Sequence, residues 1–124
     1  MKVMLAIGLA GAFGAVLRYG CVRGVALLGC AFPWGTLLVN CVGAFLAGLC
    51  FILAKDRWDP FWVTVCFVGF LGAFTTFSTF ALESVRLGME GQIVKAMGNV
   101  LLQNVSGLLA VWLGMLAAKG LIEL

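Results

Sequence analysis

Charged residues cut this chain into four apolar stretches, and none of them alternates in the twos of a half-buried strand. Residues 35–54 run for 20 positions without Asp, Glu, Lys or Arg, residues 60–82 for 23, and residues 96–118 for 23. Each is close to the ~20 residues that carry an α-helix across a ~30 Å hydrocarbon core. The first stretch is shorter. Residues 3–17 give 15 uncharged positions, about 22 Å of helix. It crosses only if Arg18 and Tyr19 lie within the membrane margin. The pattern therefore predicts an all-α membrane protein, one domain over residues 1–124, with spans at 3–22, 35–54, 60–82 and 96–118. Lys2 ahead of a short apolar run also fits a secretory signal peptide. Against that reading, cleavage would leave three spans and discard Gly8, Gly11 and Gly14, which are spaced for helix packing.

Composition agrees with the pattern: the chain is 64% hydrophobic and 10% charged, where a soluble domain carries roughly a quarter charged residues. The eight basic residues then become informative. Four spans place both termini on one side with Lys2, Lys55, Arg57 and Lys119, and leave Arg18, Arg23, Arg86 and Lys95 on the other. Orientation normally follows an excess of Lys and Arg on the cytoplasmic side, and here there is none. Two readings follow. The chain inserts both ways up, so that oppositely oriented copies pair about a two-fold axis in the membrane plane, or eight charges are few and the tie is chance. A net charge of +3, dispersed along the chain, excludes a nucleic-acid surface. Cys21, Cys30, Cys41, Cys50 and Cys66 show no CxxC spacing and there is no histidine, so the cysteines read as small apolar fillers rather than metal ligands or a disulfide framework. No phosphate-cradling loop, catalytic triad or paired intramembrane carboxylates are present, so the chain is not read as an enzyme. It either moves something across the bilayer or helps another protein do so.

Polar residues inside spans are costly and mark pores, sites or partner helices. On the second span Thr36, Asn40, Gly43 and Ala47 share one helix face. On the fourth, Asn99, Gln103 and Ser106 do so, with Asn104 about a quarter turn away. Each stripe is interhelical glue or the wall of a water-lined path. The third span is unusual, since residues 69–80 read GFLGAFTTFSTF. Gly and Thr each weaken a helix by up to ~1 kcal/mol relative to Ala, so the spacing predicts a break near the bilayer midplane, with protein groups, water or an ion satisfying the freed backbone. The alternative is an intact helix whose threonines bond back to the preceding turn. Phe74, Phe77 and Phe80 alternate with Thr75, Thr76, Ser78 and Thr79, so that positive ring edges and hydroxyls together suit a small, strongly hydrated anion.

These residues give the chain its likeness to a known family: it resembles the CrcB/Fluc fluoride channels of bacteria and archaea. The family's GGxxGAxxRY-like element stands here as AGAFGAVLRY over residues 10–19, with Ala10 replacing the first glycine. Its GTLxVNxxGxFxxG element is complete over residues 35–48, and its GGxTTFSTF element spans residues 72–80 with Ala73 replacing the second glycine. The resemblance implies an antiparallel, dual-topology homodimer with two fluoride pores, each lined by both subunits, in the cell inner (plasma) membrane. It implies that Phe77 and Phe80 contact fluoride through their ring edges and that Ser78 and Thr79 belong to a hydroxyl track. It also implies that Asn40 is the pore-side amide, and that Arg18 lies near the aqueous vestibule. The fourth-span polar position varies in the family, and Gln103 and Ser106 are the residues expected there. The backbone carbonyls of Gly72 and Thr75, two from each subunit, are expected to hold a structural Na+ at the dimer axis.

The mechanism implied is passive, selective conduction of fluoride, which in a cell with a negative interior becomes export. Two other classes compete with it. A four-span multidrug exporter needs a buried glutamate on its first span, whereas Glu83, Glu90 and Glu123 lie at span ends or beyond and Asp56 and Asp59 in a loop. An accessory subunit would use the polar stripes only to grip a larger complex.

Overall fold

The computed structural model describes residues 1–55 and 57–122; Asp56 and Glu123, two of the carboxylates set aside above, lie outside them. The chain is helical through its apolar stretches except at Thr75 and Thr76: α1 is Lys2–Ala26, α2 Trp34–Ala54, α3 residues 60–74, α4 Phe77–Met89 and α5 Ile93–Ile122. Four segments are long and apolar enough to cross a membrane, namely Lys2–Ala26, Trp34–Ala54, Pro60–Met89 and Ile93–Ile122. Every span but the second overruns its expected end by several residues. The hydrogen-bond ladder does not stop where charge begins, and Arg23, Arg86, Lys95 and Lys119 ride on the extra turns, Arg86 paired with Glu90 at 3.0 Å and Lys95 donating to Gln92 Oε1 at 2.7 Å.

Local chemistry sets the start of α3. Pro60 occupies the first turn, and the Asp59 carboxylate accepts from the Phe61 N–H at 2.8 Å, a cap that satisfies one of the orphan donors of a helix start. From Val65 to Leu71 the helix widens into a π-helical stretch, a form found mostly where function needs a local distortion. It then returns to α geometry at Gly72–Phe74 and stops. Thr75 has ψ 161° and Thr76 has φ −152° and ψ 113°, so two extended residues interrupt the span midway between Pro60 and Met89. The expected break is therefore present. Two adjacent β-branched residues favour extended backbone, and Thr76 caps the next helix by accepting the Thr79 N–H on its Oγ1 at 3.2 Å.

Without a hydrophobic force between helices in lipid, close approach has to come from small residues. A methyl group on Gly48 would run into the Val111 backbone, and one on Gly114 into the Phe45 carbonyl. That reciprocal fit makes α2 and α5 the most intimate pair. Gly14 of α1 sits against the Phe70 carbonyl and Gly69 against Ile7 and Ala10, which docks α1 on the π-helical stretch. Gly11 shares that contact, but Gly8 has nothing within 4 Å, so the expected glycine face of α1 packs only in its later part.

Candidate ion site at the helix break

The face of α2 that carries Thr36, Asn40, Gly43 and Ala47 looks onto the break. Asn40 lies at its centre. Its Oδ1 accepts the Thr76 N–H at 2.8 Å and its Nδ2 donates to the Thr76 carbonyl at 3.1 Å. One amide thus satisfies both main-chain groups of an extended residue, each of which would cost several kcal/mol unpaired in lipid. One turn on, Gly43 leaves room for the methyl of Thr75, which any Cβ at that position would strike. One turn back, Thr36 Oγ1 donates to Glu83 Oε1 at 2.7 Å.

The Thr76 N–H also fixes the orientation of a second amide. A main-chain donor requires the oxygen of Asn40, so the Asn40 nitrogen points onward and donates to Gln103 Oε1 at 3.0 Å. Gln103 must then turn its Nε2 away. This relay assigns both amides from bonding, not from their shapes. Gln103 is 8% exposed, and its Nε2 has no acceptor among the described residues. A buried donor left without an acceptor costs ~1–3 kcal/mol. Glu83 Oε2 and Asn99 Oδ1 are also buried without a partner, but Gln103 Nε2 is the amide nitrogen among the three and the one bordering the groove described next.

That groove has a volume of about 420 Å³ and is lined by Asn40, Gly72, Thr75, Phe77, Phe80 and Gln103 among others. Phe77 and Phe80 meet edge to face, with ring centroids 5.4 Å apart and planes at 69°. Phe77 is 79% exposed, so within one chain its ring is a wall with one side bare. Asn104 borders the groove as well, its Nδ2 donating to the Val100 carbonyl at 2.7 Å. Ser106 does not. It lies three residues beyond Gln103, rotated about 60° from it, and is engaged with Cys41 Sγ at 3.1 Å and with the Leu102 carbonyl. Asn99 likewise serves as glue, its Nδ2 donating to Ser84 Oγ at 2.9 Å. The fourth-span stripe therefore divides, with Gln103 at the groove and its neighbours binding helices. Ser78 and Thr79 stand outside the groove in a single chain. Thr76 Oγ1 donates to Thr79 Oγ1 at 2.9 Å and lies 3.4 Å from Ser78 Oγ, so their hydroxyls continue from the cap along α4.

Arg18 is drawn inward. Its side chain turns toward the break, where its Nη1 donates to the Thr75 carbonyl at 3.2 Å. The break supplies the acceptor that holds its head.

The carbonyls of residues 72 to 75 leave the helical ladder here, those of Gly72 and Thr75 among them. In an unbroken helix Gly72 O would accept from the Thr76 N–H and Thr75 O from the Thr79 N–H, but those donors go to Asn40 Oδ1 and Thr76 Oγ1. The freed oxygens are hard donors, the type that suits an alkali or alkaline-earth cation. Thr75 O already carries the Arg18 guanidinium, and a carbonyl has two lone pairs, so the pair fits a cation in donor type. The described residues hold no group of three His, Cys, Asp or Glu for a metal.

Comparison with known proteins gives the chain its family. The family profile described as CrcB-like protein, Camphor Resistance (CrcB), matches residues 5–115. The chain is 46% identical over 116 residues to the fluoride-specific ion channel FluC of Shewanella amazonensis, covering 92% of this chain and 94% of that one. It is 44% identical over 124 residues to the protein of the same name from Geobacter sulfurreducens, covering 98% and 100%. A further FluC, from Hydrogenovibrio crunogenus, is 44% identical over 119 residues, covering 94% and 90%. With four membrane-spanning helices, a broken third span and this extent of identity, the chain belongs to the CrcB family.

Proposed function

We propose that this multi-pass membrane protein is a fluoride channel, not an enzyme, and that fluoride passes along the groove at the break. The single observation that carries the reading is the buried, acceptor-free Nε2 of Gln103 beside two phenylalanine rings. Moving an ion out of water costs several kcal/mol even after relaxation, while a hydrogen bond to a charged group returns ~1.5–3 kcal/mol. Two or three donors in succession lower that barrier without trapping the ion. Gln103 supplies one, the Ser78 and Thr79 hydroxyls continue the series on α4, and the positive edges of Phe77 and Phe80 take up part of the charge between them. Asn40 has both N–H groups engaged, so its part is to hold the break open and aim Gln103. Arg18 places a positive charge beside the route and raises the local anion concentration.

The working unit is an antiparallel, dual-topology homodimer. The bare side of Phe77 and the groove's one-sided lining support a second wall contributed by another copy, and the tie of basic residues supports insertion in both orientations. The Gly72 and Thr75 carbonyls of two copies would hold a Na+ on the shared axis; bound there, it supplies positive charge that satisfies the freed oxygens and keeps the subunits in register. No fuel is required, since a negative interior drives the anion outward. Fluoride efflux from proteoliposomes tests the reading. F77I or F80I is expected to abolish or severely reduce efflux while the dimer still forms, and unchanged efflux removes the ring edges from the mechanism.

A further inference from the structure

We infer that Cys50 and Cys66 form a two-thiol site for a soft divalent cation that prefers linear coordination, of the mercury(II) class. Cys50 lies on α2 and Cys66 on the π-helical stretch of α3, and their sulfurs are 3.8 Å apart. The other three cysteines are separate. Cys30 Sγ contacts the Leu28 carbonyl, Cys41 contacts Ser106, and Cys21 meets no other sulfur among the described residues.

Ligand number selects the metal. No third His, Cys, Asp or Glu joins the pair among the described residues, so the tetrahedral set that zinc requires is not offered. A linear sulfur–metal–sulfur unit with bonds of ~2.3 Å needs ~4.6 Å between sulfurs. That is about 0.8 Å more than the 3.8 Å present, a separation that rotation of two small side chains supplies. Softness matches, because thiolates favour soft cations over the hard ones suited to carbonyls.

Charge selects the oxidation state. Cys66 also borders an apolar groove of about 640 Å³ lined by Phe13, Trp58, Trp62 and Phe70, a route open to a neutral metal dihalide. The Cys66 thiol displaces one chloride, forming a sulfur–metal bond and releasing HCl; the Cys50 thiol displaces the second, releasing another HCl. The product, two thiolates on one divalent ion, is neutral. A monovalent soft cation would leave a net negative complex, which a low-dielectric interior penalises by several kcal/mol.

The test uses the purified full-length chain carrying C21S, C30S and C41S, loaded with one equivalent of mercury(II) chloride and read by intact mass. One mercury per chain is expected to survive washing in excess monothiol and to be removed by a dithiol, and zinc(II) chloride treated the same way is not retained. Adding C50S or C66S should abolish retention. Stripping of mercury from the parent by monothiol overturns the site without reference to any variant, and so does undiminished retention in both single variants.

Discussion

The side-chain amide of Asn40 bonds both main-chain polar groups of Thr76, 36 residues away, at 2.8 and 3.1 Å. An extended residue in mid-span is thereby satisfied by one side chain, and the remaining N–H of that side chain orients Gln103. Fold and site are coupled through this amide, since the bonds that permit the break also aim the donor.

Replacing Asn40 therefore affects stability and conduction together. N40A leaves two buried main-chain groups unpaired at ~1–3 kcal/mol each, and N40D keeps the acceptor but loses both donors. Both variants are expected to unfold at lower denaturant or temperature in detergent and to lose fluoride efflux. Conduction at the parent rate by N40D would show that the Asn40 donors are not needed.

Gln103 carries the donor itself. Q103L removes that donor, and with it the acceptor of one Asn40 N–H, while filling the space, and the loss of ~1.5–3 kcal/mol of charged hydrogen bonding corresponds to a ~10- to 100-fold slower efflux. Q103E, which faces the route with a carboxylate, is expected to be slower still. Initial rates from proteoliposomes at matched protein density check this.

Gly43 and Thr75 form a steric pair. G43A places a methyl group against Thr75 Cγ2, and the break has to shift, so efflux falls. T75S lacks that Cγ2 while keeping the hydroxyl, so the double variant G43A/T75S is expected to recover much of the lost rate. A double variant no better than G43A rules out the contact as the cause.

Arg18 acts through charge. R18Q keeps hydrogen-bonding groups but removes the cation beside the Thr75 carbonyl, and efflux is expected to fall severalfold at low ionic strength. The difference should narrow as salt screens the field over ~10 Å at 0.1 M. R18K, which keeps the charge, is expected to lie between the parent and R18Q.

How much of this was legible in the sequence depends on the range of the interaction. The stripe of Thr36, Asn40, Gly43 and Ala47 follows from helix periodicity alone, and it does face the break. The poor helix formers of residues 69–80 announce an interruption, but its position at Thr75 and Thr76 is set by capping: Thr76 needs the Thr79 N–H three residues on. Periodicity alone does not distinguish Ser106 from Gln103 on the fourth span. The groove lies to the flank of that face, so Asn104 borders it and Ser106 meets Cys41. The inward turn of Arg18 was hidden because its acceptor, a main-chain carbonyl 57 residues away, is exposed only once the break exists. The π-helical stretch and the Cys50–Cys66 contact carry no local signature of their own.

Fluoride release from liposomes containing only this purified chain, followed with an ion-selective electrode, tests the proposed conduction most directly. Rapid fluoride release driven by a potassium gradient and valinomycin, with chloride retained under the same conditions, is the expected result. Release no faster than from protein-free liposomes would contradict conduction by this chain, and equal release of both halides would contradict a fluoride-selective groove.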